Sequence, residues 1–227
     1  MMYFDPIYLF FAIPGMILAG AASWYTKSMF NKYAQVRATT GMSGAQAARH
    51  MLDVNGLQSV GIERVSGFLS DHYDPRHRVL RLSPPVYDTP SLAAIGVACH
   101  EAGHALQHAK HYAPLKLRTA MVPATNWGSR LSYIVLMAGA MLQAPPLINL
   151  ALLLFSLTVL FALVTLPVEW DASARAKRAM VANGIVSHSE QAQAGQVLNA
   201  AFLTYVASAV SSLLVFLYYI MRFSGRR

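Results

Sequence analysis

Three long apolar runs constrain this chain more than any other feature. Residues 7–25, 147–166 and 197–221 contain no Asp, Glu, Lys or Arg. Each is long enough to cross the hydrocarbon core of a bilayer, and a lone segment there must be helical to satisfy its own backbone. A fourth stretch, residues 131–144, is short. It reaches back to Met121 only by taking in Arg130, which would have to snorkel or pair. Pro145 and Pro146 separate it from the next run and predict a tight helical hairpin. The expected fold is a mostly α membrane protein with about four transmembrane helices. Hydrophobic residues make up 55% of the chain and charged residues 12%, which excludes an ordinary soluble domain. No basic residue lies within Met1 to Asp5, and no small-residue cleavage site precedes Lys27. The first run therefore reads as a retained anchor.

The net charge is +8, yet no nucleic-acid partner is expected. The basic residues flank the apolar runs and form no stripe with stacking aromatics. They read as topology determinants. Lys27, Lys32, Arg37, Lys116, Arg118, Arg130, Arg175, Lys177 and Arg178 fall on one side of a four-span arrangement, against Arg222, Arg226 and Arg227 on the other. The first group, and residues 27–130 with it, should face the cytosol.

That segment is large enough for a small α+β domain. Ser43 reads as the N-cap of a helix through Leu52, ended by Asn55-Gly56. Residues 60–65 and 77–82 read as strands, with residues 71–76 as the turn of a short β-hairpin. A helix over residues 91–109 follows. The strand before it could pair with an extended substrate by edge addition, or merely cover the helix.

This helix carries His100-Glu101-Ala102-Gly103-His104. With 8 His and 4 Glu in 227 residues, chance gives about 0.005 such HExxH matches. Residues i and i+4 share a helix face, so both imidazoles can reach one Zn²⁺, with Glu101 placed to activate water. A surface helix with two solvated histidines would carry more charge than Leu92 to Ala98 provide. Gly103 permits close approach by metal, substrate or a second helix. His108 shares the face of His104, but three ligands spread over two turns of one straight helix cannot meet one ion. It reads, with His111, as a helix-end or solvated residue.

A zinc hydrolase needs a third ligand and an open position. Glu169, after the apolar run and before a helix expected over residues 171–182, is the better candidate. Glu63 and Glu190 sit in polar surroundings. Asp171 suits either an acceptor for a ligand imidazole N–H or a helix N-cap. His72 or Tyr73 could donate to an oxyanion, or only shape the turn. Cys99 points away from the motif's face and reads as a small buried filler.

Several segments together resemble the bacterial YugP-type neutral zinc metallopeptidases. They are residues 71–75 (DHYDP), 100–108 (HEAGHALQH), 112–118 (YAPLKLR) and 166–173 (LPVEWDAS). The order of strands, active helix and downstream Glu is also similar to HtpX-like and CAAX prenyl endopeptidases. In those an Asp follows the ligand Glu by four residues, whereas Asp171 follows Glu169 by two. The resemblance implies a multi-pass zinc endopeptidase of the bacterial inner membrane with a zincin-like domain, acting on a peptide or membrane-protein substrate.

The resulting expectation is an anchor over residues 1–26 and a metallopeptidase domain over 27–130. A transmembrane hairpin over 131–168, a helix with the third ligand over 169–196 and a final span with basic tail over 197–227 complete it. Glu101 is the expected general base, with His100, His104 and Glu169 on zinc. Asp171, His72 and Tyr73 are supporting candidates. The alternative is a non-catalytic zinc-binding scaffold, which would not leave a coordination position open. A transporter is disfavoured because the runs lack ionisable residues.

Overall fold

The computed structural model describes residues 5–67 and 70–224. Helix α1 (Pro6–Ala34) starts on an Asp5 cap, whose carboxylate accepts the Ile7 N–H at 3.0 Å. It continues well past residue 25, so that Phe30 and Tyr33 enter the core. Helix α2 (Gly44–Val54) opens with a reciprocal box. Gln46 N–H donates to Ser43 Oγ, and Ser43 N–H donates to Gln46 Oε1. Gly56 then turns the chain at φ +75°.

Three strands follow: β1 (Gly61–Arg64), β2 (His72–Asp74) and β3 (Val79–Leu82). Their order is β1-β3-β2, with β1 parallel to β3 and β2 antiparallel to it. The expected hairpin between residues 60–65 and 77–82 is therefore corrected. His72–Asp74, inside the expected turn, is itself a strand, and the turn lies just after it. Asp74 Oδ1 accepts the N–H of Arg76 and of His77, and Arg78 adopts φ +54°. This is the side-chain turn chemistry expected of Asp, displaced by a few residues. With β2 occupying one edge of β3, β1 pairs on the other edge, and the long connection makes a parallel register possible.

After the short α3 (Pro84–Tyr87), helix α4 (Leu92–Ala109) starts at Ser91, whose Oγ accepts the Ala94 N–H. Helix α4 is the centre of the molecule. It packs against α2, α6, α7 and α1, and its residues from Leu92 to Gln107 are buried apart from Val97 and His100. Met51, Leu52, Leu80, Leu82, Ile95 and Met180 close the core around it.

Helices α5 (Ala113–Met141) and α6 (Pro145–Ala182) form the expected antiparallel pair, joined through residues 142–144. Helix α7 (His188–Ser224) returns alongside α1. Tyr218 Oη donates to Asp5 at one end (2.7 Å), and Thr26 Oγ1 reaches Ala200 O toward the other (2.8 Å). Helices α1, α6 and α7 are long and apolar enough to cross a membrane. Helix α5, the expected second span, does not reach the same hydropathy, since it carries Lys116, Arg118, Arg130 and several polar residues.

A second correction concerns α6. The sequence reads an apolar run ending at residue 166 and a separate helix over residues 171–182, but α6 is continuous from Pro145 to Ala182, through Pro167. A proline is tolerated in a helix of this kind when neighbouring helices hold the backbone around it. Asp171 is thus interior to a helix and is no N-cap. The expected segment borders at 130/131, 168/169 and 196/197 fall inside α5, α6 and α7.

Candidate metal centre

The site forms where α4 crosses α6. At Gly103 a Cβ would stand 2.6 Å from the Ala172 carbonyl oxygen. Of the partners the sequence leaves open for Gly103, the structure places a second helix there. The missing side chain lets the α6 backbone approach, and one turn of α6 is pressed against the HExxH face.

Three ligand-type atoms meet at this crossing. His100 Nε2 lies 3.1 Å from Glu169 Oε2, and His104 Nε2 lies 3.6 Å from the same oxygen. All three lie within 4.8 Å of one another. Glu169 is only 1% exposed, so its charge needs a positive partner close by. Burial alone would lower the His104 pKa. The Glu169 carboxylate 3.6 Å away and the charge of Glu101 outweigh it, and the net direction is upward.

The outer nitrogen of each imidazole is held. Gln107 is fully buried, and its Nε2 donates to Val168 O and to Asp171 Oδ2, both at 2.8 Å. That leaves Gln107 Oε1 as an acceptor, 3.0 Å from His104 Nδ1. His104 must then carry a proton on Nδ1 and turn Nε2 to Glu169. Asp171 also accepts from Arg175 Nε at 2.5 Å. It serves the imidazole through Gln107, without the direct contact considered from the sequence. His100 Nδ1 meets Ser173 Oγ at 3.1 Å, which leaves its Nε2 toward Glu169 as well.

These residues fit a zinc ion. Ligand atoms about 2 Å from a tetrahedral ion stand roughly 3.3 Å apart. The two Nε2–Oε2 distances bracket that value. Two imidazoles whose outer nitrogens are hydrogen-bonded, plus one carboxylate, match the donor set of a zinc site with a position left open.

Glu101 lies beside the set and is 8% exposed; its Oε2 accepts the Tyr73 backbone N–H at 3.0 Å. Strand β2 thus reaches the site through its main chain. The Tyr73 hydroxyl pairs with His108 Nδ1, and His72 Nδ1 pairs with Ser70 O on an exposed edge. Neither side chain joins the ligand cluster. Arg118 Nη2 is 3.6 Å from Glu169 Oε1, and Tyr205 lines the same cavity as Glu169. Cys99 is fully buried, and burial pushes its thiol pKa up to about 12, which keeps it inert.

Gln107, Ser173, Arg118 and Tyr205 are the site residues that sequence reasoning misses. Gln107 lies three residues after His104, and Ser173 lies four after Glu169. Helical spacing from each ligand would point to both. Arg118 and Tyr205 arrive from other helices, and no local pattern marks them.

The sequence family described as "Putative neutral zinc metallopeptidase" matches residues 8–224. The chain belongs to this family. A similar protein is the "Putative membrane protease YugP" of Bacillus subtilis (strain 168). It is 45% identical over 221 residues, covering 97% of this chain and 98% of the relative. No solved structure matches the chain.

Proposed function

We propose that this protein is an integral membrane zinc endopeptidase. The carrying observation is the convergence of His100 Nε2 and His104 Nε2 on Glu169 Oε2, with Glu101 alongside. His100, His104 and Glu169 would hold the metal. Zinc, when bound, supplies Lewis acidity toward a scissile carbonyl and toward water. Glu101 takes a proton from the attacking water and delivers it to the departing amine nitrogen. The Tyr73 N–H holds one Glu101 oxygen in place and so leaves the other for that proton transfer. Gln107, backed by Asp171, keeps His104 in the tautomer that faces the metal, and Ser173 orients the His100 ring.

The same packing supports a membrane arrangement with four spans. Helix α5 runs antiparallel to the apolar half of α6, and Gly139 packs closely on Leu147 and Ile148 beside the connection. If α6 crosses the bilayer, α5 crosses beside it. Trp127, Ile134, Met137 and Met141 are exposed along α5, as lipid contact requires. Four spans place the metal at the end shared with Lys27, Lys32, Lys116, Arg175, Lys177 and Arg178. The positive-inside rule then puts the site on the cytosolic side of a bacterial inner membrane.

The test uses purified full-length protein in detergent, with zinc content and peptide-library cleavage measured together. Glu101→Gln should keep zinc and lose hydrolysis by about 10²–10⁴-fold. Glu169→Ala should lose both. An unchanged turnover in Glu101→Gln would overturn the mechanism.

A further inference from the structure

A cavity of about 330 Å³ opens on the site from the side away from Gly103 and Gln107. Its floor is α4, where Val97 precedes Glu101 by one helical turn. Its other walls are Phe30 of α1 and Val197, Leu198, Ala201 and Phe202 of α7. His100, Glu101 and Glu169 line the same space. The volume is at the small end for ligand cavities, roughly 300–1,000 Å³, and suits a side chain with some flanking backbone.

Several of the polar groups on these walls are already engaged. Thr26 Oγ1 reaches Ala22 O and Ala200 O, both at 2.8 Å. Thr204 Oγ1 donates to Ala201 O at 2.7 Å. The Asp71 carboxylate accepts from Ser83 N and Oγ, and burial raises its pKa despite those bonds. A polar side chain entering here would lose water and gain little in return. An apolar one would gain the full benefit of leaving water.

The surroundings supply such segments. Helices α1 and α7 are long and apolar enough to cross a membrane. Trp24, next to cavity residue Ser23, and Trp170, next to Glu169, are exposed, and Trp170 stacks edge-on against Phe202 with centroids 5.3 Å apart. Exposed tryptophan favours the level at which bilayer meets water.

We propose that this cavity is an apolar subsite, formed by Val97 and the α1 and α7 walls, that seats a large aliphatic or aromatic side chain of the polypeptide next to the bond being cut. It makes polypeptide segments from the membrane boundary the preferred substrate class, and it rests on the peptidase reading above. The experiment uses zinc-loaded full-length protein and fluorogenic peptides that differ only in the residues flanking the scissile bond. The wild type should favour Leu or Phe over Ala on one side by about 10–100-fold in kcat/KM. Val97→Phe and Ala201→Phe, which fill the space from opposite walls, should bring that ratio down toward unity. Phe202→Ala, which enlarges it, should shift the preference toward Trp and serves if the filled variants do not fold. Hydrolysis without preference on either side, or variants that slow all peptides equally, would overturn the subsite. A wild type that cuts no peptide would overturn the peptidase reading, and the subsite with it.

Discussion

The two working faces of α4 have opposite characters. Toward α6 the helix presents Gly103 and Gln107, with backbone contact at Ala172 and both N–H groups and the carbonyl of the Gln107 amide engaged. Toward α1 and α7 it presents Val97 and Glu101, which border open space. His100 and His104 stand where the faces meet, with ring centroids 4.8 Å apart. One face fixes ligands by exclusion of water and by directed bonds. The other stays hollow so that something can enter. A single amphipathic helix would bury one face only, and here each face requires its own neighbouring helices.

The sharpest way to break the closed face is Gly103→Ala. Its methyl group would meet the Ala172 carbonyl at 2.6 Å and force α4 and α6 apart. Overpacking of this kind costs about 1–3 kcal/mol. At about 2–4 °C per kcal/mol for a chain of this size, the melting temperature should fall by several degrees. Zinc content should fall with it, since Glu169 moves away from both imidazoles. Thermal melts with metal analysis check both outcomes.

A finer probe separates holding from packing. Gln107→Leu keeps the volume but removes the acceptor for His104 Nδ1, and should weaken zinc binding by about 10–100-fold in competition with a chelator. Ser173→Ala should cost less, because His100 is more exposed than His104 and water can replace the hydroxyl. An equal loss in both variants would contradict the difference drawn between the two imidazoles.

The smallest effect is expected outside both faces, at the β2–β3 turn. His77 and Arg81 hydrogen bonds hold the Asp74 carboxyl well below the usual carboxylate range. A carboxyl with a depressed native pKa stabilises the fold above its unfolded value, 3.8, and loses that contribution as pH falls toward the native value. Asp74→Asn should therefore lower the melting temperature by about 2–4 °C near neutrality. The gap from wild type should shrink below pH 3.8.

Much of this architecture is legible from composition and spacing. The apolar runs at 7–25, 147–166 and 197–221 lie within α1, α6 and α7. Ser43 and Asn55-Gly56 bound α2 as their chemistry predicts. The strands are less legible, because Asp71 to Asp74 has turn composition and its extended form depends on pairing with β3. The helix through Pro167 is likewise invisible locally. Proline lowers helical preference, and only the packing of other helices on α6 reverses that outcome.

For the site, sequence alone determined the donor types: two imidazoles one turn apart, an adjacent carboxylate, and a distant glutamate beside an apolar run. Helical periodicity is a local property, so the sequence carries it unaided. Tertiary structure decided which groups surround those donors. Gln107 joins Asp171 to His104 only because Gly103 lets two helices touch. Arg118, Tyr205 and the apolar cavity come together from helices as far apart in the chain as α1 and α7. Contacts between remote segments depend on how packed surfaces fit, and no pattern within either segment encodes that fit.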